Sequence, residues 1–108
     1  MGGPMWEETL RLPEGLSSGL ERFIRDPSSR EADVFYEKIF DVGERRSLTV
    51  TVKHDIYEGV MMNLTLLDEE AYRFLAGRES HLNEAGDLPG EYEVRFGEAH
   101  YRLRLEFS

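Results

Sequence analysis

The chain has no cysteine, which excludes a disulfide scaffold, a thiolate zinc site and a cysteine nucleophile together. A reducing compartment suits such a chain. It also lacks any apolar run near the roughly 20 residues that a membrane helix needs. Its opening, MGGPMWEETL, has neither the basic nor the apolar region of a secretory signal. The expected location is therefore cytoplasmic, with no membrane partner. Lysine is scarce: only Lys38 and Lys53 stand among 13 basic residues, against 22 acidic ones, for a net charge of −9. A field of that sign repels phosphate backbones and anionic lipid, so generic nucleic-acid or membrane binding is disfavoured. The acidity serves solubility or steers the protein toward a basic partner. Gly2-Gly3 and the isolated later glycines match neither the dinucleotide nor the P-loop pattern. No cofactor is implied.

What is present is enough apolar residue to fold, 40% of the chain, in a length of 108 that allows one domain and one core. The clearest element is a closing hairpin from Glu91 to Phe107. Taking Gly97-Glu98 as a two-residue loop in which Gly supplies the positive φ places Phe96 opposite Ala99. Val94 then meets Tyr101 and Tyr92 meets Leu103 on one side. On the other, Arg95 meets His100, Glu93 meets Arg102 and Glu91 meets Arg104. Apolar pairs, opposite charges and turn chemistry agree in one register.

Upstream, Trp6, Glu8, Leu10 and Leu12 alternate with polar residues as in a strand, with Glu8 the misfit. Leu16, Leu20, Phe23 and Ile24 fall on one helical face. That helix starts either after Pro13 or at a Ser18/Glu21 capping box, and ends at Arg25 or Asp26, before Pro27. A polar loop over 27–30 follows. Val34 to Phe40 reads as a second strand, apolar on both faces. Ser47 to His54 and Val60 to Leu66 alternate cleanly, so strands two to four form a meander. Asp68, followed by Glu69 and Glu70, suits the start of a short helix to about Ala76 with Gly77 as its stop. Residues 78–90 read as a long polar loop and residues 1–4 as a flexible lead.

The expected fold is a single α+β domain over 1–108, ordered β-α-β-β-β-α-β-β. It is two-layered: a mainly antiparallel sheet of about five or six strands with one main helix packed on one face. The other face would meet solvent and display Lys53, Arg95, His100, Arg102 and Arg104 with Glu91, Glu93 and Glu106. Phe35 and Ile39 are expected in the core, and Met61 outside it.

No constellation marks an enzyme. The three histidines share no helical metal-ligand spacing. His54 continues the apolar side of its strand and is expected at the end of the core. With Tyr57 it would stand at the mouth of any pocket between helix and sheet. His81 beside Ser80 has no acid partner to complete a triad. His100, facing Arg95, is expected to be a solvated surface residue. The arginine-bearing face offers no exposed aromatic for stacking bases, and its glutamates offset much of the charge. The leading expectation is therefore a non-enzymatic protein-binding module of the inhibitor, immunity or regulatory kind, with a basic protein partner. A small-molecule binder or enzyme using the His54/Tyr57 pocket is the alternative, and nucleic-acid binding through the arginine face the weaker one. Homodimerisation through a sheet edge is open to such a fold.

Overall fold

The structure, a computed structural model, describes residues 3–26, 33–55 and 57–108. The loop expected over 27–30 and the first two residues of the lead lie outside them. Among the described residues seven strands, one α-helix and one 3-10 turn form, in the order β1 (Trp6–Leu12), α1 (Glu14–Arg25), β2 (Asp33–Gly43), β3 (Arg46–Asp55), β4 (Gly59–Asp68), β5 (Arg73–His81), the 3-10 turn (Ala85–Asp87), β6 (Gly90–Phe96) and β7 (Ala99–Phe107). They make two sheets, one of four strands (β2-β3-β4-β5) and one of three (β1-β7-β6). The fold is α+β, with one α-helix and mostly antiparallel strands. Among the described residues, no helix is long and apolar enough to cross a membrane.

The closing hairpin pairs in the expected register throughout, from Glu91 opposite Arg104 to Phe96 opposite Ala99, and Gly97 has φ 57°. The other edge of β7 is taken by β1, which runs parallel to it with Glu7 opposite Arg102 and Leu12 opposite Phe107. That pairing makes β7 a central strand. Helix α1 follows Pro13 directly, so the proline start prevails. Ser18 instead bonds back within the helix, its Oγ donating to the Gly15 carbonyl at 3.4 Å.

The meander extends one strand further than its sequence suggests, and the expected short helix over Asp68 to Ala76 does not form. Asp68 does cap backbone N–H groups there, Oδ1 accepting from Glu70 and Ala71 at 3.0 Å each. The cap closes a turn and not a helix. Tyr72 takes φ 52°, which a helix cannot continue. Residues from Arg73 on then satisfy the free edge of β4. The loop expected over 78–90 is shortened accordingly: its first four residues belong to β5 and its last opens β6. Its middle is anchored by Leu82, Ala85 and Leu88, all buried. Their spacing of three suits a 3-10 turn. Asp87 accepts from the backbone of Asn83 and Glu84 to close that turn.

Both sheets turn their apolar alternates into one core cluster. Leu48, Val50, Val52, Met62, Leu64 and Leu66 come from one sheet; Val94, Tyr101, Leu103 and Leu105 from the other; Leu16, Leu20 and Phe23 from α1. A hydrogen bond ties the sheets: Arg46 Nη1 donates to the Tyr101 hydroxyl at 3.0 Å. That bond heads the causes that raise the arginine's pKa.

Candidate functional site

The outer face of the three-stranded sheet collects four of the residues singled out from sequence, Arg95, His100, Arg102 and Arg104. Each arginine there already faces a carboxylate. Arg102 reaches Glu7 at 2.9 Å and Glu93 at 3.3 Å, Arg104 pairs with Glu91, and Arg95 lies 3.5 Å from Glu93. Burial alone would raise the pKa of Glu93, but its bond to Arg102, with His100 and Arg95 nearby, holds it below the ordinary value. Glu91 is held low by Arg104. A groove of about 480 Å³ over this face is lined by Glu7, Glu8, Thr9, Glu91, Arg102 and Arg104. With Glu106 and Arg11 also paired, at 3.9 Å, the face is an ion-pair lattice.

Two expectations about this surface need revision. Lys53 lies on the other sheet, opposite Met61, so the five residues do not form one patch. His100 is 7% exposed, not solvated. It sits on the central strand, with β6 on one side and the chain before β1 on the other, where Met5 N donates to its carbonyl at 2.7 Å. Its Nε2 is 3.4 Å from Glu93 yet has no aligned hydrogen-bond partner.

His54 does lie at the end of the core, 7% exposed, with its ring 4.4 Å from that of Phe23. It lines a cavity of about 200 Å³ together with Ile24, Glu58, Gly59, Val60, His81, Leu82 and Asn83. Tyr57 stands away from that wall, almost wholly exposed. The helix and β2 enclose a separate shallow dent of about 290 Å³, lined by Pro13, Gly15, Leu16, Gly19, Leu20, Phe35 and Tyr36. The sequence therefore joined two places that the fold keeps apart. Among the described residues, no group of three or more His, Asp or Glu is placed to hold a metal ion.

The outer face of the four-stranded sheet is different in kind. Its register sets Ile39 beside Thr49, Thr65 and Gly77 in one row, with Leu67 beside Phe74 in the next. Ile39 is 60% and Phe74 63% exposed, although the sequence pattern placed Ile39 inside and Phe74 in a helix. Phe35 keeps its place against the core, with its ring 5.1 Å from Phe23. Met61, expected outside, is buried. The Phe74 ring leans over Gly77, where an added Cβ would come within 3.0 Å of it and 2.9 Å of the Leu64 carbonyl. No ion pair between described residues crosses this face. Glu37 and Glu79 flank the apolar rows, opposite Thr51 and Asn63 respectively.

At one end of this face three turns converge. Glu44 and Arg45 form a two-residue β2–β3 loop with φ 56° and 58°, a conformation that usually needs Asn or Gly. It is braced by Arg45 on Glu70 at 2.7 Å and by Glu69 N donating to the Arg45 carbonyl at 2.9 Å. Arg46 lies over the Phe96 ring of the closing hairpin, 5.7 Å from its centroid. Tyr72, 92% exposed and left-handed, stands at the β4–β5 turn. Arg45, Arg46 and Arg73 each face a carboxylate, which leaves Glu69 without an ion pair among the described residues.

Compared with known proteins, the chain matches no family model, no curated protein and no solved structure. Its function has to be argued from its own residues.

Proposed function

We propose that this is a non-enzymatic protein-binding module, of the inhibitor, immunity or regulatory kind, whose contact surface is the outer face of the four-stranded sheet. The observation that carries the reading is the exposed Ile39 and Phe74 in adjacent rows of this face, with half-buried Leu67 beside Phe74, Tyr72 at the margin and Glu37 and Glu79 flanking. Exposed contiguous apolar surface with a polar rim is the usual anatomy of a protein interface. Full burial of a side chain of this size contributes roughly 1.5–3 kcal/mol. Tyrosine at a braced turn is a residue type that such interfaces favour.

The partner is a protein with a basic surface. Of the two sheet faces, the three-stranded one carries as many arginines as glutamates, so the charge of −9 resides elsewhere and is available for steering. In this reading the sheets act as two layers over one core, within one domain, and the absence of cysteine suits a cytoplasmic setting.

Tagged protein retained on resin and exposed to a lysate at low and moderate salt tests the reading. A stoichiometric partner that weakens with salt, and is lost from an Ile39→Thr/Phe74→Thr variant but kept by Arg95→Gln, supports it. Retention that ignores both salt and the face variant refutes it.

A further inference from the structure

The cavity between the end of α1, the β3–β4 turn and the end of β5 belongs to neither sheet face. We infer that it is a binding site for a small organic cation, an ammonium or guanidinium group on a short apolar stem. Its floor is apolar: Val60 and Leu82 are buried and Ile24 is half-buried, and Leu82 N donates to the Val60 carbonyl at 2.8 Å, fixing the two walls together. The polar lining is Glu58, His54, His81 and Asn83. Among the described lining residues Glu58 supplies the one carboxylate, and none is lysine or arginine. It makes no ion pair with a described residue.

Glu58 is held through its backbone. Asp55 Oδ1 accepts from Tyr57 N at 2.8 Å and from Glu58 N at 3.1 Å, and these bonds hold the Asp55 carboxyl below its ordinary pKa. On the inner side, His54 is more than nine-tenths buried in the cavity wall, and its Nδ1 has no hydrogen-bond partner. Buried imidazole nitrogens are normally satisfied. With His54 closing the inner wall, the exposed Glu58 carboxylate, without an ion pair among the described residues, is the charged group beside an apolar recess, an arrangement suited to a cationic ligand group.

Charge and volume select the ligand. A carboxylate would meet Glu58 and the overall field of −9, whereas an ammonium is attracted by both and its methylenes fit the apolar floor. At about 30 Å³ per water, 200 Å³ holds about six or seven waters, which suits a ligand of similar heavy-atom count.

The probe is n-butylammonium, titrated into the intact protein at low salt while the ring resonances of His54 and His81 are followed by NMR. Saturable shifts with Kd of about 1 mM, within what so few atoms can supply, are expected. Butyrate should leave both rings unmoved, and Glu58→Gln should weaken the affinity at least about fivefold with an otherwise unchanged spectrum. Equal shifts from butyrate, shifts that never saturate, or full affinity in Glu58→Gln would overturn the inference.

Discussion

The two sheets share a core and differ on the faces turned away from it. On the three-stranded sheet every arginine has a carboxylate across the strand or beside it. On the four-stranded sheet the corresponding central positions hold threonines and exposed Ile39 and Phe74, with Glu37 and Glu79 flanking them. The difference sets what each face can do. Exposed ion pairs contribute about 0–1 kcal/mol each, but taking them out of water costs several kcal/mol per ion. A paired face therefore resists being covered. Isoleucine and phenylalanine side chains are poorly hydrated, so covering them is favourable, and the threonines carry no charge to desolvate. Under the proposed function, one sheet face stays wet and the other is the one covered.

The largest expected effects test whether the sheets are one unit. Leu64→Ala in β4 and Leu103→Ala in β7, each fully enclosed, should both lose about 2–5 kcal/mol in urea unfolding while keeping a single transition. Two transitions in either variant would separate the sheets. Next comes the open face itself. Ile39→Thr with Phe74→Thr should weaken partner binding by at least about tenfold, or about 1.4 kcal/mol, measured by surface plasmon resonance. The matched double change Glu93→Gln/Arg102→Gln should leave binding intact, and comparable losses from both would erase the contrast.

The paired face also has a pH dependence with a definite sign. Glu93 and Glu91 have folded pKa values below their ordinary ones. Their stabilising contribution is present above about pH 4.3, the unfolded value, and is lost as pH falls through the lower folded values. Thermal melts from pH 6 to 3 should show Tm falling less steeply in Glu93→Gln than in the parent. Asp68 and Asp55, held low by turn N–H groups of Ala71 and of Tyr57 respectively, should keep a residual slope of the same sign in 1 M salt. That slope persists because those bonds are local while the ion pairs are screened. The smallest change is at the braced end. Tyr72→Asn should relieve the left-handed aromatic and raise stability by about 0.5–1 kcal/mol while weakening the partner complex.

The hairpin from Glu91 to Phe107 was legible residue by residue because turn chemistry and cross-strand chemistry pointed to one register. Helix α1 was legible from the spacing of Leu16, Leu20 and Phe23. Strand β5 was not: Asp68, Glu69 and Glu70 look alike whether they open a helix or close a turn, and the deciding term, the free edge of β4, is a tertiary one. The fate of Ile39 was hidden for a related reason. A strand apolar on both faces does not say which face the rest of the chain will cover. For the candidate sites, the burial of His54 followed from its strand, while its neighbour His81 in the cavity wall depended on β5. The flanking of His100 depended on the chain leading into β1, at Met5, arriving beside it.

The parallel pairing of β1 with β7 also orders events in time. The meander β2 to β5 is joined by short turns, whereas Glu7 and Arg102 meet across 95 residues. Closing a loop of that length costs about 3 kcal/mol more entropy than closing a four-residue one. Contact separation therefore predicts that the four-stranded sheet forms on local contacts before the first strand meets the last. On that expectation, the face proposed to meet a partner would be complete before the clasp that finishes the fold has closed.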